Sequence, residues 1–202
     1  MTGAFTIRES MAEDAPAYRE MRLEALLAHP EAFGSDYEES ATRPPSHWLE
    51  RVSLPHGRER NNLWFAVGPD GALAGMLGVY TESMAKLRHV GTVVSVYTRP
   101  AWRRRGVADA LLGQAIAWAR AAGFRRLRLA VAATNVAAIR TYARAGFTVY
   151  GVEPEVISTG GAYYDELLMG RAVGGLPPDG GPKTEDGSRF EPASVLGRPS
   201  SV

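Results

Sequence analysis

Short apolar runs alternate with amphipathic stretches along the chain, and this alternation gives the first outline of its structure. Runs of β-branched, aliphatic and aromatic residues bounded by Gly, Pro or polar residues predict β-strands. The predicted strands lie at residues 5–8, 63–67, 73–80, 89–98, 127–132, 147–152 and 163–171. The turn Gly68-Pro-Asp-Gly71 separates the second run from the third, which predicts a β-hairpin.

Apolar residues spaced by three and four predict helices between these strands. The longest stripe consists of Val107, Leu111, Ala115, Trp118 and Ala122. Further helices are predicted at 10–27, 47–54 and 135–145, with Ser10 and Glu13 as a capping box and Ser46 as an N-cap. The order β-α-α-β-β-β-α-β-α-β-β predicts an α+β fold, with helices layered on a sheet.

The last 29 residues differ from the rest of the chain in composition. Residues 174–202 contain six Gly, five Pro and four Ser, and their apolar residues are isolated. Such a segment buries too little surface to offset its ordering entropy. We therefore expect one folded domain at residues 1–173 and a disordered tail at residues 174–202.

Composition narrows the class of protein. The 202 residues are 45% hydrophobic and 22% charged, and cysteine is absent, which excludes disulfides, Cys-ligated metals and thiol nucleophiles. The N-terminus has no apolar signal-peptide core, and no window approaches 18 consecutive apolar residues. These features predict a cytoplasmic protein with no membrane segment.

A net charge of +1 conceals an uneven distribution of charge along the chain. Residues 99–144 hold ten Arg and one acid, Asp109, so this segment carries +9 and the remainder −8. A segment this basic indicates a polyanionic partner. Nucleic acid, a phosphorylated cofactor and a solvated face are the three alternatives.

The Arg-rich loop before the longest predicted helix has the character of a phosphate cradle. Unpaired amides at a helix N-terminus bind phosphate, Gly106 allows close backbone approach, and Ala108 adds little bulk. Arg103, Arg104 and Arg105 add positive charge. The loop is neither a Walker A nor a Gly-x-Gly-x-x-Gly sequence, and a plain strand-to-helix turn with solvated arginines is the alternative.

Two motifs together resemble those of the GNAT superfamily of N-acetyltransferases. The first is Arg103-x-x-Gly106-x-Ala108, and the second is Asn135-x-x-Ala138-x-x-x-Tyr142-x-x-x-Gly146-Phe147. The order of predicted elements is also similar from residue 5 to about residue 171. The resemblance implies a mixed, mostly antiparallel sheet of six to seven strands, with helices on both faces and one splayed pair of parallel strands.

The resemblance also implies where acetyl-CoA binds and which residues bind it. Acetyl-CoA would lie between strands 92–98 and 127–132, with no metal involved. Tyr142 would protonate the leaving thiolate, and Asn135 and Ala138 would lie along the pantetheine arm. The cofactor-binding residues are expected to be Val96, Tyr97 and Thr98 through their backbone, Arg103, Arg104, Arg105, Gly106, Val107, Ala108 and Asp109 at the pyrophosphate, and Asn135, Ala138 and Tyr142.

The general base is where this sequence departs from the family. Many members carry a glutamate at the strand positions that hold Thr92 and Ala130 here. The other candidate bases are His89, Glu82, Glu38 and Glu39. A histidine has a suitable reference pKa of about 6.5, and a loop glutamate could act through water. Surface solvation is the alternative for each of them, and a chain of water molecules is a further one.

The sequence also leaves several alternatives for the residues that bind the acceptor amine. The acidic residues Asp36, Glu38, Glu39 and Glu82 suggest attraction of a cationic amine, and Asp165 and Glu166 could bind an amine or pair across strands. A possible aromatic wall consists of Phe33, Tyr37, Trp48, Tyr163 and Tyr164. Core packing or interface burial is the alternative for these rings.

Together these features predict an acyltransferase that moves the acetyl group of acetyl-CoA directly to a primary amine of a small molecule or peptide. The alternative is a catalytically silent acyl-CoA-binding or sensor domain of the same fold. A nucleic-acid partner is not expected, because the folded part outside residues 99–144 carries −7. We expect a monomer or a homodimer.

Overall fold

A computed structural model describes residues 4–53 and 61–174 of the chain. The expected tail therefore lies outside the described residues, apart from Gly174. Seven strands are formed in the described part: β1 (Thr6–Glu9), β2 (Asn62–Val67), β3 (Leu73–Thr81), β4 (Val90–Thr98), β5 (Arg126–Ala132), β6 (Thr148–Thr159) and β7 (Ala162–Ala172). The helices are α1 (Ala15–Ala28), α2 (Tyr37–Ala41), α3 (Pro45–Val52), α4 (Val107–Ala121) and α5 (Val136–Arg144).

The strands form one mixed sheet in the order β1-β2-β3-β4-β5-β7-β6. β4 and β5 are parallel, and all other neighbours are antiparallel. This confirms the α+β class and the seven strands that the sequence pattern predicted, and the single parallel pair that the resemblance implied. No helix in residues 4–53 and 61–174 has the length and hydropathy needed to span a membrane.

Helices cover both faces of the sheet, which explains why β2 is apolar at nearly every position. Trp64 and Ala66 face α4 and belong to the larger core cluster. Leu63 and Phe65 point the other way and pack with α1 and α3. Alternate residues of a strand lie on opposite faces, so a strand covered on both sides has no polar face.

The predicted stripe of α4 is confirmed. Val107, Leu111 and Ala115 are buried against the sheet, and Trp118 packs edge-on against Trp64 with ring centroids 5.3 Å apart. Helix α4 therefore begins at a fixed position relative to β4, because its first residue, Val107, is already part of the core.

Both predicted helix caps are wrong. Asp14 accepts the Met11 amide at 2.8 Å, whereas Ser10 donates from its hydroxyl to the Val52 carbonyl at 2.5 Å. Ser10 thus ties the start of the helical region to α3 instead of capping α1. The second cap moves because Pro45, whose fixed φ suits a first helical position, already begins α3 and leaves Ser46 inside it.

Two further elements differ from prediction. The short helix α2 was not predicted, and Asp36 caps it by accepting the Glu39 amide at 2.9 Å. β6 extends to Thr159, well beyond the predicted end at residue 152, and passes a bulge that includes Glu155 at φ +52°. β6 is an edge strand with mostly exposed side chains, so the apolar alternation used to find strands is weak along it.

Candidate active site

A cleft opens where β4 and β5 separate. The two strands pair only at Val90 with Arg126, Gly91 with Leu127, and Thr92 with Arg128. Beyond Thr92 the strands diverge around a cavity of about 1360 Å³. Ser95 adopts φ +56°, and the pairing of β4 with β3 shifts register beside it, so a bulge redirects β4 at this point.

Over its second half, the edge of β4 that faces the cleft pairs with no other strand of the described residues. Tyr97 and Thr98 pair with β3 on the other edge, opposite Met76 and Gly75. Val96, Tyr97 and Thr98 all line the cavity. Backbone amides and carbonyls on such an edge are available to an extended ligand that pairs like an added strand.

The N-terminus of α4 forms one end of the cleft. Gly106 is the N-cap, with φ +81° in the left-handed region. The first helical hydrogen bond runs from the Ala110 amide to the Gly106 carbonyl at 2.9 Å. The amides of Val107, Ala108 and Asp109 come before it in the chain and therefore have no acceptor within the helix. Free amides and the helix dipole at this end favour a bound anion such as a pyrophosphate.

The three arginines before Gly106 have different surroundings. Arg103 donates from Nε to the Thr98 carbonyl at 3.2 Å, and its Nη2 lies 2.9 Å from Nε2 of His29. Arg104 lines the cavity and has φ +62°. Arg105 is not among the lining residues; its guanidinium lies 5.2 Å from the centre of the Trp102 ring.

Helix α5 places both Asn135, its N-cap, and Tyr142 on the cleft. The Asn135 side-chain oxygen caps the helix by accepting the Ala138 amide at 3.1 Å, which leaves its NH₂ group for another acceptor. Tyr142 is 7% exposed, and burial raises the pKa of its hydroxyl. Asn135, Ala138 and Tyr142 all line the cavity.

None of the four candidate bases, His89, Glu82, Glu38 and Glu39, is among the residues that line the cleft. Glu82 accepts from Arg128 Nη2 at 3.2 Å, and Arg128 Nε donates to the Thr92 hydroxyl at 3.0 Å. Thr92 and Ala130 line the cavity, but Glu82 does not. His89 is exposed at the other end of β4, beside the start of β5, and does not line it either.

Four histidine or carboxylate side chains do line the cleft: His29, Glu31, Asp109 and Glu166. Asp109, in the first turn of α4, pairs with Arg144 at 3.1 Å. His29 and Glu31 follow α1, with Nδ1 of the histidine 3.7 Å from the Glu31 carboxylate. Glu166 lies opposite Ala132 in β5 and Glu153 in β6. Burial and the charge of Glu153 raise the pKa of Glu166. The sequence indicated Glu166 as a possible amine ligand on the last strand, but it gave no signal for His29 or Glu31.

Most of the predicted acceptor-binding residues lie outside the cleft. Phe33 and Glu166 line it, but Tyr37, Trp48, Tyr163 and Tyr164 do not. The acids predicted to attract a cationic amine also lie elsewhere: Asp36 caps α2, and Glu39 pairs with Arg43. Asp165 accepts the Glu155 amide at 2.9 Å. Within residues 4–53 and 61–174, no group of three or more His, Asp or Glu side chains could hold a metal ion.

The sequence of the chain matches a known protein family. The sequence model of the acetyltransferase (GNAT) family matches residues 18–147. The L-amino acid N-acetyltransferase AaaT of Escherichia coli K12 is 28% identical over 171 residues, which cover 82% of this chain and 96% of that protein.

Solved structures show the same fold. The yncA protein of Salmonella typhimurium, crystallised with its cofactor acetyl-CoA, has a TM-score of 0.76 at 23% identity, covering 86% of this chain and 96% of that one. A phosphinothricin acetyltransferase of Sinorhizobium meliloti in complex with acetyl-CoA has a TM-score of 0.75 at 20% identity, covering 97% of this chain and 96% of that one.

Proposed function

Because the chain belongs to the acetyltransferase (GNAT) family, we propose that it transfers the acetyl group of acetyl-CoA directly to a primary amine of a small molecule or peptide. The observation that carries the proposal is the cleft between β4 and β5. It combines a free strand edge, an anion-binding helix N-terminus and a buried tyrosine in one cavity. The name of the E. coli relative, an L-amino acid N-acetyltransferase, favours a small acceptor over a peptide.

In the proposed binding mode, acetyl-CoA is held mainly by the backbone. The amides of Val107, Ala108 and Asp109 receive the pyrophosphate, and the β4 edge pairs with the pantetheine arm. The NH₂ group of Asn135 donates to the same arm. Gly106 makes the loop possible, because the left-handed φ that it adopts is strained for residues with a Cβ.

In the proposed reaction, the neutral amine attacks the thioester carbonyl. A carbon–nitrogen bond forms, the carbon–sulfur bond breaks, and the departing thiolate takes a proton from the Tyr142 hydroxyl. Burial keeps that hydroxyl protonated at neutral pH, as a general acid requires. Glu166 takes the proton that the amine loses; unlike His89 and Glu82, it lines the cleft.

The test is release of free thiol from acetyl-CoA in the presence of a panel of amines. We expect turnover with at least one amine, and we expect Tyr142→Phe to lower kcat about 100-fold or more with little change in KM for acetyl-CoA. Binding of acetyl-CoA without turnover of any amine would instead identify a silent acyl-CoA-binding domain. This second candidate function, a silent binding domain, is favoured by Thr92 and Ala130, which occupy strand positions where many members of the family carry a glutamate.

A further inference from the structure

Arg22 of α1 is a buried cation in the wall of the cleft, and it lacks a full set of partners. The residue is 7% exposed and lines the cavity. Its Nη1 atom is shielded from solvent and has no hydrogen-bond partner in the part of the chain that the structure describes. A buried charged group without a partner is unfavourable, so an Arg at such a position indicates a ligand that completes it.

The rest of the guanidinium group is held in place. Its central carbon lies 4.5 Å from the centre of the Phe33 ring, and Nη2 donates to the Ser35 hydroxyl at 3.3 Å. Phe33 and Ser35 line the same cavity. Stacking on one face and a hydrogen bond at one edge fix the plane of the group, which leaves Nη1 as the free position.

No negative charge compensates Arg22 among the described residues. No ion pair includes it in that part of the chain, and a second cation, Arg51 of α3, also lines the cleft. Burial has the largest effect on the pKa of Arg22 and lowers it; Tyr18 acts to raise this pKa and Arg51 to lower it. The guanidinium remains charged at neutral pH. Two arginines and a serine hydroxyl therefore form a corner of the cleft that is complementary to an anion.

We propose that Arg22 binds the carboxylate of the acceptor, so that the enzyme acts on free amino acids in preference to amines without a carboxylate. The inference rests on the proposed acetyl transfer, and it adds a binding site and a substrate class to it. A guanidinium binds a carboxylate through two parallel hydrogen bonds, a geometry that neutral amides do not reproduce. The corner at Arg22 lies on α1 and the loop after it, whereas the pyrophosphate site is at the start of α4.

The experiment compares matched acceptors that differ only in the carboxylate. The rate of thiol release from acetyl-CoA is measured with L-leucine, L-phenylalanine and L-methionine, and with the amide of each. We expect the wild type to prefer the free acids. Arg22→Met should lower kcat/KM for the acids about 30-fold or more and change it for the amides by less than about threefold. KM for acetyl-CoA should stay the same.

Arg19→Met is the matched control, because Arg19 lies on the same helix but is exposed, does not line the cleft and donates to the Ala41 carbonyl at 3.1 Å. It should keep the wild-type preference. Arg22→Lys retains the charge without the planar fork and should give an intermediate preference; it also serves if Arg22→Met does not fold. Equal kcat/KM for acids and amides in the wild type, or a preference that survives in a folded Arg22 variant, would overturn the inference.

Failure of the proposed function has a different outcome. If no amine releases thiol, binding of L-leucine to the protein saturated with CoA is measured by titration calorimetry. Binding that is lost in Arg22→Met and kept in Arg19→Met would support the carboxylate site while the proposed transfer fails. Absence of binding to the wild type would overturn the site as well.

Discussion

Two glycines of the same helix should respond in opposite ways to the same substitution. Gly106 is the N-cap of α4 with φ +81°, and Gly113 lies in the exposed middle of that helix. A Cβ added at either position meets no atom within 4 Å, so no clash contributes at either site. Any difference between Gly106→Ala and Gly113→Ala therefore comes from the backbone alone.

The expected magnitudes follow from backbone conformation. Alanine in the left-handed region is strained by about 1–2 kcal/mol, so Gly106→Ala should lower the free energy of unfolding by about that amount. Alanine in a helix interior is favoured over glycine by about 0.5–1 kcal/mol, so Gly113→Ala should raise it. The two variants should thus differ by about 1.5–3 kcal/mol, or several degrees in Tm.

Urea unfolding gives the free energies, and the KM for acetyl-CoA gives the functional effect. If the Gly106 conformation presents the amides of Val107, Ala108 and Asp109 to the pyrophosphate, Gly106→Ala should raise that KM, and Gly113→Ala should leave it unchanged. Equal free energies of unfolding for the two variants would refute the backbone reasoning. An unchanged KM in Gly106→Ala would refute the assignment of the phosphate site.

Other predictions concern charged residues. Arg140 lines the cleft from α5, and Arg140→Gln should raise KM for acetyl-CoA about two- to fivefold, an effect that disappears in high salt, as steady-state kinetics will show. Burial acts to raise the pKa of Asp14, but hydrogen bonds from Arg8 and Met11 outweigh it, and the net pKa is lowered. The lowered pKa of Asp14 therefore stabilises the fold above the pKa of an unfolded aspartate, about 3.9, and this stabilisation is lost as the pH falls through the folded-state pKa. Asp14→Asn should remove this pH dependence, which is measured by urea unfolding at a series of pH values. Since the pKa of Glu166 is raised, the acid limb of kcat/KM should lie above the usual range for glutamate, and Glu166→Gln should abolish it in a pH–rate profile. Arg22→Met without acceptor should unfold at the same or a higher urea concentration than wild type, because an apolar side chain replaces an uncompensated buried cation; a loss of about 3 kcal/mol or more would indicate a purely structural role.

The start of α4 could be predicted because few distant contacts decide it. Gly106 and the amides of a helix start follow from the order strand, loop and helix, and the predicted phosphate site rests on this local pattern. The spacing of Asn135 and Tyr142 on one helix was equally local. In contrast, the splay between β4 and β5 follows from a bulge at Ser95, and nothing in that apolar run distinguishes a bulged strand from a regular one. Local patterns did not suffice for the caps at Ser10 and Ser46, because a contact with Val52 and the position of Pro45 decided them.

The acceptor half of the cleft could not be assembled from spacing, because its residues come from segments that only the fold brings together. Arg22 and Phe33 are in contact across the end of α1, and Glu166 reaches the same cavity from β7. One signal was present in the helical pattern. Arg22 occupies an inward position next to Met21 and four residues after Tyr18, both of which are buried. A cation in a core stripe is rare without a partner or a function.

The uneven charge of the sequence is more evenly distributed in the fold. Arg99, from the basic segment, pairs with Glu20 and Glu24 of α1 at 2.6 and 2.9 Å. Arg128 pairs with Glu82 at 3.2 Å. Two of the ten arginines of the basic segment are thus paired with acids that lie far away in sequence. The positions that matter are the arginines of the cleft wall that have no carboxylate partner among the described residues.

Arg22 is such a position, and its charge bears on the reaction as well as on binding. In a free amino acid the carboxylate favours the protonated ammonium, which cannot attack a thioester. An arginine that pairs with the carboxylate cancels this effect and places a positive charge near the amine, so the pKa of the amine falls. If Arg22 binds the acceptor's carboxylate, the same contact selects the substrate and raises the fraction of it that is neutral. Glu166, as the base, would then have less of the acceptor to deprotonate, because an ammonium with a lowered pKa is a stronger acid and is less populated at neutral pH.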